Sequence, residues 1–234
     1  MTIERDSIEF DVLIVGGGPA GLAAAIQLAQ AAQAAQTELE VALIEKGAEI
    51  GAHEVSGAIL NPRALKELVP DYQDQGCPVE ATVHSDGFFF LTAEKALRLP
   101  ITPKPMCNEG MHVISLARFT RWLGEQAEAL GVNIFPGFAG TEVLYDEDGR
   151  RVTGVRTGDK GLDHAGQPKG NFEPGIDLLA KVTIFAEGAR GSLTETVAKK
   201  LRLYADRLPA VYETGIKEVI QLPEENGFDR LGLD

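Results

Sequence analysis

Three glycines near the amino terminus have the spacing of a nucleotide-binding turn. Gly16, Gly18 and Gly21 stand between the apolar run "DVLIV" and an alanine-rich segment. Glycines at these places let the backbone turn tightly, approach a pyrophosphate and pack a helix against a strand. The amino terminus of that helix also offers unpaired N–H groups and a partial positive charge to phosphates. The pattern therefore indicates a bound dinucleotide.

An acidic residue follows at the place where a ribose would lie. Glu45 ends a second apolar run, "VALIE", 24 residues after Gly21. Its carboxylate can accept hydrogen bonds from ribose hydroxyls, and it disfavours a 2′-phosphate, so NADP is not expected at this site. The alternative is a glycine-rich turn without a ligand, but the two flanking apolar runs and the acid favour a nucleotide site.

The elements that hold these residues form a strand–helix–strand unit. We predict parallel strands at "DVLIV" and "VALIE", because both runs are continuously apolar, and a helix over residues 22–36 between them. "TIFAEGARG" predicts another strand, which ends in a second glycine turn and enters a helix. An amphipathic helix begins after Ser115, "DEDG" is a hairpin turn, residues 158–175 form a polar loop, and residues 210–223 contain a last strand. The fold class is α/β.

Composition excludes several classes of protein. The chain has 234 residues, with 35 acidic and 22 basic side chains and a net charge of −13. A nucleic-acid-binding protein would need a basic surface, so we expect no nucleic-acid partner. Cys77 and Cys107 are the only cysteines, and the four histidines are scattered without ligand spacing, so we expect no metal or iron–sulfur site within this chain. We identify no catalytic nucleophile, signal peptide or transit peptide.

The segment after Glu45 favours FAD over NAD. "EKGAEIGAHEVSGAIL" is rich in glycine and small residues, which suits a chain that passes close beside a large flat ring. This arrangement resembles the FAD-binding Rossmann-like domain of glutathione-reductase-type flavoproteins. In such proteins a segment similar to "TIFAEGARG" contacts the ribityl chain and the pyrophosphate of FAD again.

Longer segments resemble one family in particular. "EIGAHEVSGAILNPRALKELVPD", "WLGEQAEALGVNIFPGFAGTEVLYDEDG", "GLDHAGQPKGNFEPGIDLLAKVTIFAEGARGSLT" and "TGIKEVIQLPEE" are similar to the electron-transfer flavoprotein–ubiquinone oxidoreductases. Members of that family use FAD and one [4Fe–4S] cluster to pass electrons from reduced electron-transfer flavoprotein to ubiquinone. They lie on the membrane surface without spanning it. The resemblance therefore implies respiratory electron transport at the cytoplasmic face of a bacterial inner membrane, with electron-transfer flavoprotein and ubiquinone as partners.

The resemblance also implies which residues contact FAD. Ser56 and Gly57 fall beside the isoalloxazine, although Ser56 has an alternative role as a turn residue. Arg118 reaches the cofactor or, alternatively, forms a surface ion pair. The implied cofactor-binding set comprises Val15, Gly16, Gly17, Gly18, Pro19, Ala20, Gly21, Leu22, Glu45, Lys46, Ser56, Gly57, Arg118, Glu187, Gly188 and Gly191.

By the same resemblance, residues 1–86 and 111–200 form a discontinuous FAD-binding domain. Residues 87–110 and 201–234 form part of a second, α+β quinone-binding domain. Within it, "DGFFFLTAEKALRLPITPKPM" corresponds to part of the family's membrane-facing surface. Three consecutive phenylalanines point to both faces of a strand, so at least one should be exposed. Lys95, Arg98 and Lys104 could meet anionic headgroups. The alternative is a buried strand.

Family members continue beyond the length of this chain. We therefore expect an N-terminal portion, without the iron–sulfur domain and the four cysteines that bind the [4Fe–4S] cluster, and without quinone reduction by itself. Two other functions are considered. One is an FAD-dependent enzyme of the monooxygenase or geranylgeranyl-reductase type, and the other is an inactive FAD-binding remnant.

Overall fold

The computed structural model describes residues 4–55, 57–208, 210–213, 215–216 and 221. Four helices occur in this part of the chain: α1 Pro19–Ala34, α2 Arg63–Leu68, α3 Leu116–Ala129 and α4 Ser192–Lys200, with a 3₁₀ turn at Lys104–Met106. The strands are β1 Ser7–Val15, β2 Val41–Glu45, β3 Ala58–Leu60, β4 Ala81–Thr82, β5 Phe89–Leu91, β6 Ala96–Arg98, β7 His112–Ile114, β8 Asn133–Pro136, β9 Gly140–Tyr145, β10 Val152–Thr157, β11 Lys160–Leu162, β12 Pro168–Glu173 and β13 Asp177–Phe185.

A six-stranded mixed sheet has the order β8-β2-β1-β13-β10-β9. Strands β8, β2, β1 and β13 run parallel, whereas β10 and β9 are antiparallel to their neighbours. The predicted Rossmann-like α/β fold is therefore confirmed. Because four parallel strands end on the same side, the residues after Val15, Glu45, Pro136 and Phe185 meet at one edge of the sheet.

Both faces of this sheet are covered. On one face Leu13 and Ile44 belong to a buried cluster that includes Leu193 and Val197 of α4. Helix α1 supplies Leu22 and Ile26, both fully buried, and packs along β1 and β2. Continuous burial explains why residues 12–15 and 41–44 are apolar at every position.

Two sequence-based predictions about elements need correction. Helix α1 begins at Pro19 rather than at residue 22, because proline is well suited to the first helical position, where no N–H is needed. The predicted polar loop over residues 158–175 contains the hairpin of β11 and β12. The residues of that hairpin are mostly exposed, so no apolar alternation marks it in the sequence. The strand expected within residues 210–223 lies largely outside the described residues.

The chain divides into two compact units, and the boundaries differ from those expected. One unit comprises the residues up to Glu54 and Thr120–Glu213, and the other comprises Val55–Phe119 with the few residues described after 213. Residues 55–86 and 111–119 therefore group with 87–110 instead of with the glycine turn. The reason is that β7 pairs with both β3 and β4 in a small separate sheet. The functional assignment of each domain stays a prediction.

The second unit is held by a buried polar contact. His112 is 5% exposed, its Nε2 lies 2.8 Å from the hydroxyl of Tyr72, and its Nδ1 lies 3.2 Å from the hydroxyl of Thr82. Burial, followed by the charge of Lys66, lowers the pKa of His112 below its ordinary value. The neutral imidazole therefore connects β7 to β4 and to the segment after α2. Burial likewise raises the pKa of Cys77 to about 11, so this thiol stays protonated at neutral pH.

The hairpin of β5 and β6 is exposed. Phe90 and Leu97 stand opposite each other and are 60% and 53% exposed, whereas Phe88 and Phe89 are partly buried. One phenylalanine of the three is thus exposed, as the sequence predicts, and strands β5 and β6 are not buried among the described residues of this chain. No helix in the described part of the chain is long and apolar enough to cross a membrane.

Candidate functional site

The glycine turn connects the end of β1 to the start of α1. Gly16 has φ +113°, and a Cβ there would lie 2.5 Å from the carbonyl oxygen of Ala186, just after β13. A Cβ on Gly21 would lie 2.0 Å from the carbonyl oxygen of Gly16. Both positions therefore require glycine, because the backbone packs too closely for a side chain. The contact at Gly21 lets α1 pack on the sheet, and the contact at Gly16 places the turn after β13 beside the turn after β1.

The first turn of α1 is left open for an anion. Gly18 is the N-cap residue, no side chain caps the helix, and its first turn contains no acidic residue. The N–H groups at a helix amino terminus have no partner within the helix and carry a partial positive charge. Among the described residues, only the carboxylate of Glu54, at 3.5 Å, lies within 4 Å of a Cβ built on Gly18. This space suits a phosphate group that approaches the backbone closely.

Glu45 holds two backbone segments together beside this turn. Its Oε2 accepts a hydrogen bond from the N–H of Gly17 at 2.9 Å, and its Oε1 accepts one from the N–H of Gly47 at 2.7 Å. The Nδ1 atom of His53 lies 3.5 Å from the same Oε1. The side chain of Glu45 is 13% exposed. Its carboxylate is therefore fixed in place and still accessible from one side.

A cavity of about 850 Å³ lies at this edge of the sheet. Its volume is within the range of small-molecule and cofactor sites. Its walls come from the glycine turn, the end of β2 and the loop after it, the β8–β9 connection, and the turn after β13. The lining residues are Val15, Gly16, Gly18, Pro19, Ala20, Ile44, Glu45, Lys46, His53, Glu54, Phe138, Ala139, Gly140, Phe185, Ala186, Glu187, Gly188, Arg190, Gly191 and Ser192.

The second glycine turn presents backbone rather than a carboxylate to the cavity. The Oε2 atom of Glu187 accepts hydrogen bonds from the N–H and hydroxyl of Thr194, each at 2.7 Å, and its Oε1 accepts one from the N–H of Leu193. Glu187 therefore caps α4. Gly188 has φ +81°, and no atom of the described part of the chain lies within 4 Å of a Cβ built on it. Of these two helix amino termini, that of α1 is the one left for a phosphate.

Most of the predicted cofactor-binding residues come together at this cavity. Ten of them line it: Val15, Gly16, Gly18, Pro19, Ala20, Glu45, Lys46, Glu187, Gly188 and Gly191. Gly17 donates its N–H to Glu45, and Gly21 and Leu22 are buried. These three residues therefore stabilise the turn without lining the cavity. Their role as FAD contacts stays a prediction.

The remaining three predicted residues do not line this cavity within the described part of the chain. Ser56 lies outside the described residues. Gly57 and Arg118 belong to the second unit, where the Arg118 guanidinium forms an ion pair with Glu80. Such an ion pair was the alternative considered for Arg118 from the sequence.

Sequence reasoning missed residues that reach the cavity from distant strands. Phe138 and Ala139 lie between β8 and β9, and Gly140 begins β9. The Phe138 ring packs edge-on against Phe135, and the Lys160 ammonium lies 4.4 Å from its centroid. The "PGFAG" run after a predicted strand was the available signal, because residues that follow parallel strands lie at the ligand-binding edge.

The residues present fit a flavin dinucleotide. The cavity combines an open helix amino terminus for a pyrophosphate, a fixed carboxylate for a ribose, and a second backbone turn with an unobstructed glycine. Among the described residues no group of three or more histidine, cysteine or acidic side chains could hold a metal ion.

A comparison with protein families agrees with this geometry. The family model described as "FAD binding domain" matches residues 9–205. The chain belongs to this FAD-binding family. FAD is therefore its cofactor, and the match extends across β1, the cavity residues and α4.

Similar proteins of curated function share one name. The chain is 48% identical to the mitochondrial electron transfer flavoprotein–ubiquinone oxidoreductase of Dictyostelium discoideum over 94% of its own length and 36% of that protein. It is 49% identical to the Pseudomonas aeruginosa protein of the same name, covering 93% and 40%, and 47% identical to the mitochondrial Homo sapiens protein, covering 97% and 37%. The chain thus spans between a third and two fifths of these relatives.

Solved structures with the same fold are more distant in sequence. A geranylgeranyl bacteriochlorophyll reductase-like protein of Thermoplasma acidophilum has a TM-score of 0.51 and 22% identity, over 77% of this chain and 39% of that one. The flavin-dependent monooxygenase PieE, solved with FAD, has a TM-score of 0.57 and 20% identity, over 82% and 32%. These similarities show the fold of FAD-dependent oxidoreductases.

Proposed function

We propose that the protein acts in FAD-dependent electron transfer from reduced electron-transfer flavoprotein to ubiquinone. Identity of nearly one half across almost the whole chain, to relatives of that name in three unrelated organisms, carries the proposal. The relatives are longer than this chain, so the activity, both partners and the [4Fe–4S] cluster are proposed for the complete protein. When bound, FAD supplies a centre that accepts electrons and passes them on.

The residues of this chain hold and orient the flavin nucleotide in that scheme. With FAD bound, the amino terminus of α1 would hold the pyrophosphate, and Glu45 would accept hydrogen bonds from a ribose. Gly188 allows close approach of the backbone near the second turn. The close packing of Gly16 on Ala186 keeps the two turns at a constant separation, so that both can contact one cofactor.

An electron-donor comparison tests this function against the other flavoenzyme classes. The complete protein, loaded with FAD, is mixed anaerobically with reduced electron-transfer flavoprotein or with NADH or NADPH in a stopped-flow spectrometer. We expect rapid loss of the absorbance of the oxidised flavin with the protein donor alone. Rapid bleaching by a nicotinamide would instead assign the protein to the monooxygenase or reductase type. A lack of bleaching by either would favour a binding protein without turnover.

We also propose that the β5–β6 hairpin contacts the surface of a membrane, at the cytoplasmic face of a bacterial inner membrane. Phe90, Leu91 and Ile101 are 60%, 71% and 74% exposed, and Leu97, Leu99 and Met106 are exposed near them in sequence. Such a concentration of exposed apolar side chains is unusual on a water-facing surface. Lys95, Arg98 and Lys104 stand in the same segment and suit anionic headgroups.

Co-sedimentation with vesicles tests this contact. The double variant Phe90→Ser/Leu97→Ser should lower partitioning onto vesicles that contain phosphatidylglycerol by at least roughly tenfold, because each buried apolar side chain contributes about 1.5–3 kcal/mol. Val182→Ser is a matched control, since Val182 is 53% exposed on β13 in the other unit. Equal binding of both variants would contradict the proposed contact.

A further inference from the structure

His53 stands at the point where the Glu45 carboxylate meets the cavity. Its Nδ1 atom lies 3.5 Å from Oε1 of Glu45, and 3.2 Å from a Cβ built on Gly47. The imidazole therefore lies against the segment that Glu45 holds in place. The side chain is 60% exposed and lines the cavity.

The carboxylate of Glu45 retains capacity for a ligand. An ionised carboxylate has about four lone-pair sites. Two are occupied, one on each oxygen, by the N–H groups of Gly17 and Gly47. The remaining sites can accept hydrogen bonds from hydroxyl groups, but a carboxylate cannot donate to them. A ribose hydroxyl that donates a hydrogen bond to Glu45 can still accept one. The adjacent hydroxyl on the same ribose also needs a hydrogen-bond partner.

An imidazole supplies what the carboxylate lacks. Each ring nitrogen of histidine is a donor or an acceptor, depending on the tautomer. Two polar atoms of different chemistry, 3.5 Å apart and both at the cavity wall, form a pair suited to two adjacent hydroxyls. A ribose with free 2′- and 3′-hydroxyls has that arrangement, whereas a 2′-deoxyribose or a 3′-deoxyribose has only one of the two groups.

We propose that His53 and Glu45 together bind the two adjacent hydroxyls of the adenosine ribose, and that His53 thereby determines specificity for a nucleotide with an unmodified ribose. The inference rests on FAD as the ligand of this cavity. It does not depend on which electron donor or acceptor the complete protein uses. The competing interpretation is a surface ion pair of His53 with Glu45 that has no direct contact with the nucleotide.

Binding of ADP analogues separates these interpretations. The flavin-free chain is titrated calorimetrically with ADP, 2′-deoxy-ADP and 3′-deoxy-ADP, which carry the ribose without the flavin. We expect His53→Ala to weaken ADP binding about fivefold to tenfold, in the range of one hydrogen bond. The same substitution should change the affinity for one of the deoxy analogues less than about twofold, because the hydroxyl that His53 contacts is then missing. That analogue identifies the hydroxyl.

Two further variants keep the result interpretable. His53→Gln retains a donor and an acceptor and should recover most of the ADP affinity. His164→Ala removes an exposed histidine from the turn between β11 and β12, away from the residues that line the cavity, and should bind all three nucleotides as the unaltered chain does. Melting temperatures without ligand should be the same for the three variants and the unaltered chain.

Specific outcomes would overturn the proposal. If His53→Ala leaves ADP affinity unchanged, or weakens ADP and both deoxy analogues equally, His53 does not contact a ribose hydroxyl. If the unaltered chain binds neither ADP nor FAD, the assignment of the cavity itself fails. The first pair of results leaves the FAD site standing, so the two failures are distinguishable.

Discussion

The glycines of the β1–α1 turn serve different physical purposes, although they belong to one motif. A Cβ on Gly21 would lie 2.0 Å from the carbonyl oxygen of Gly16, a separation that no folded structure tolerates without movement. A Cβ on Gly18 would approach only the end of the Glu54 side chain, at 3.5 Å, and Gly18 has an ordinary φ of −79°. There is therefore no room for a side chain at Gly21, where the helix packs against the turn. At Gly18 there is room for one, and that space is part of the cavity.

A pair of alanine substitutions tests this difference at the residue scale. Gly21→Ala should lower the free energy of unfolding by about 1–3 kcal/mol or more, because α1 must move away from the sheet. Gly18→Ala should leave thermal stability nearly unchanged and weaken FAD binding at least about tenfold, because a methyl group then occupies the approach to the α1 amino terminus. Thermal melts and flavin fluorescence titrations measure the two effects. Equal stability losses in both variants would contradict this division of roles.

At the scale of elements, the small sheet of the second unit depends on a neutral histidine. His112 contacts Tyr72 and Thr82 through its two ring nitrogens, and burial lowers its pKa below the ordinary value of 6.5. The unfolded chain therefore binds a proton more readily than the folded unit. The stabilising contribution is fully present above about pH 6.5, the unfolded value, and is lost as the pH falls below it toward the folded pKa.

Hydrogen exchange of the β7 amides measures this effect. Protection factors, corrected for intrinsic exchange, should fall between pH 7 and pH 5 with a slope of at most about 1.4 kcal/mol per pH unit from this group. His112→Gln should lower protection at pH 7 and flatten the slope. His84→Ala, a substitution of an exposed histidine in the same unit, should leave the slope as it is. An unchanged slope in His112→Gln would assign the pH dependence to other groups.

At the scale of the whole molecule, the cofactor site is assembled from segments that are far apart in the chain. Strand β1 pairs with β13 from Ser7 opposite Asp177 to Val15 opposite Phe185. This pairing brings the two glycine turns to one edge. Arg156 reinforces the opposite end of the same sheet through ion pairs with Asp177 and Glu142. FAD binding should therefore stabilise several separate segments at once.

Hydrogen exchange with and without FAD maps those segments. We expect slower exchange in residues 15–21, 45–54, 138–140 and 186–192 when FAD is added. Exchange in residues 163–167, the turn between β11 and β12, should be unchanged and serves as the internal control. The first four segments line the cavity. Protection limited to residues 15–21 would contradict a site built from both turns. Peptides that cover residues 55–58 test the prediction that Ser56 and Gly57 lie beside the isoalloxazine.

The amino-acid sequence by itself determined the local chemistry of this protein. The glycine spacing and the acid at the end of β2 act over short stretches, so that the turn and the candidate ribose-binding carboxylate could be identified without a structure, whereas the predicted start of α1 was three residues late. Continuous apolar runs likewise predicted β1 and β2. The exposed hairpin of β11 and β12 escaped prediction, because its pairing uses backbone hydrogen bonds and carries no apolar period.

Only the tertiary structure decided which distant residues complete the site and where the units divide. Phe138 and Ala139 line the cavity because parallel pairing of β2, β8 and β13 with their neighbours ends at one edge. The Glu187 side chain caps α4 because that helix begins directly beside it. The grouping of residues 55–119 follows from the pairing of β7 with β3 and β4. Such long-range pairing depends on the packing of the whole chain, which spacing along the sequence does not record.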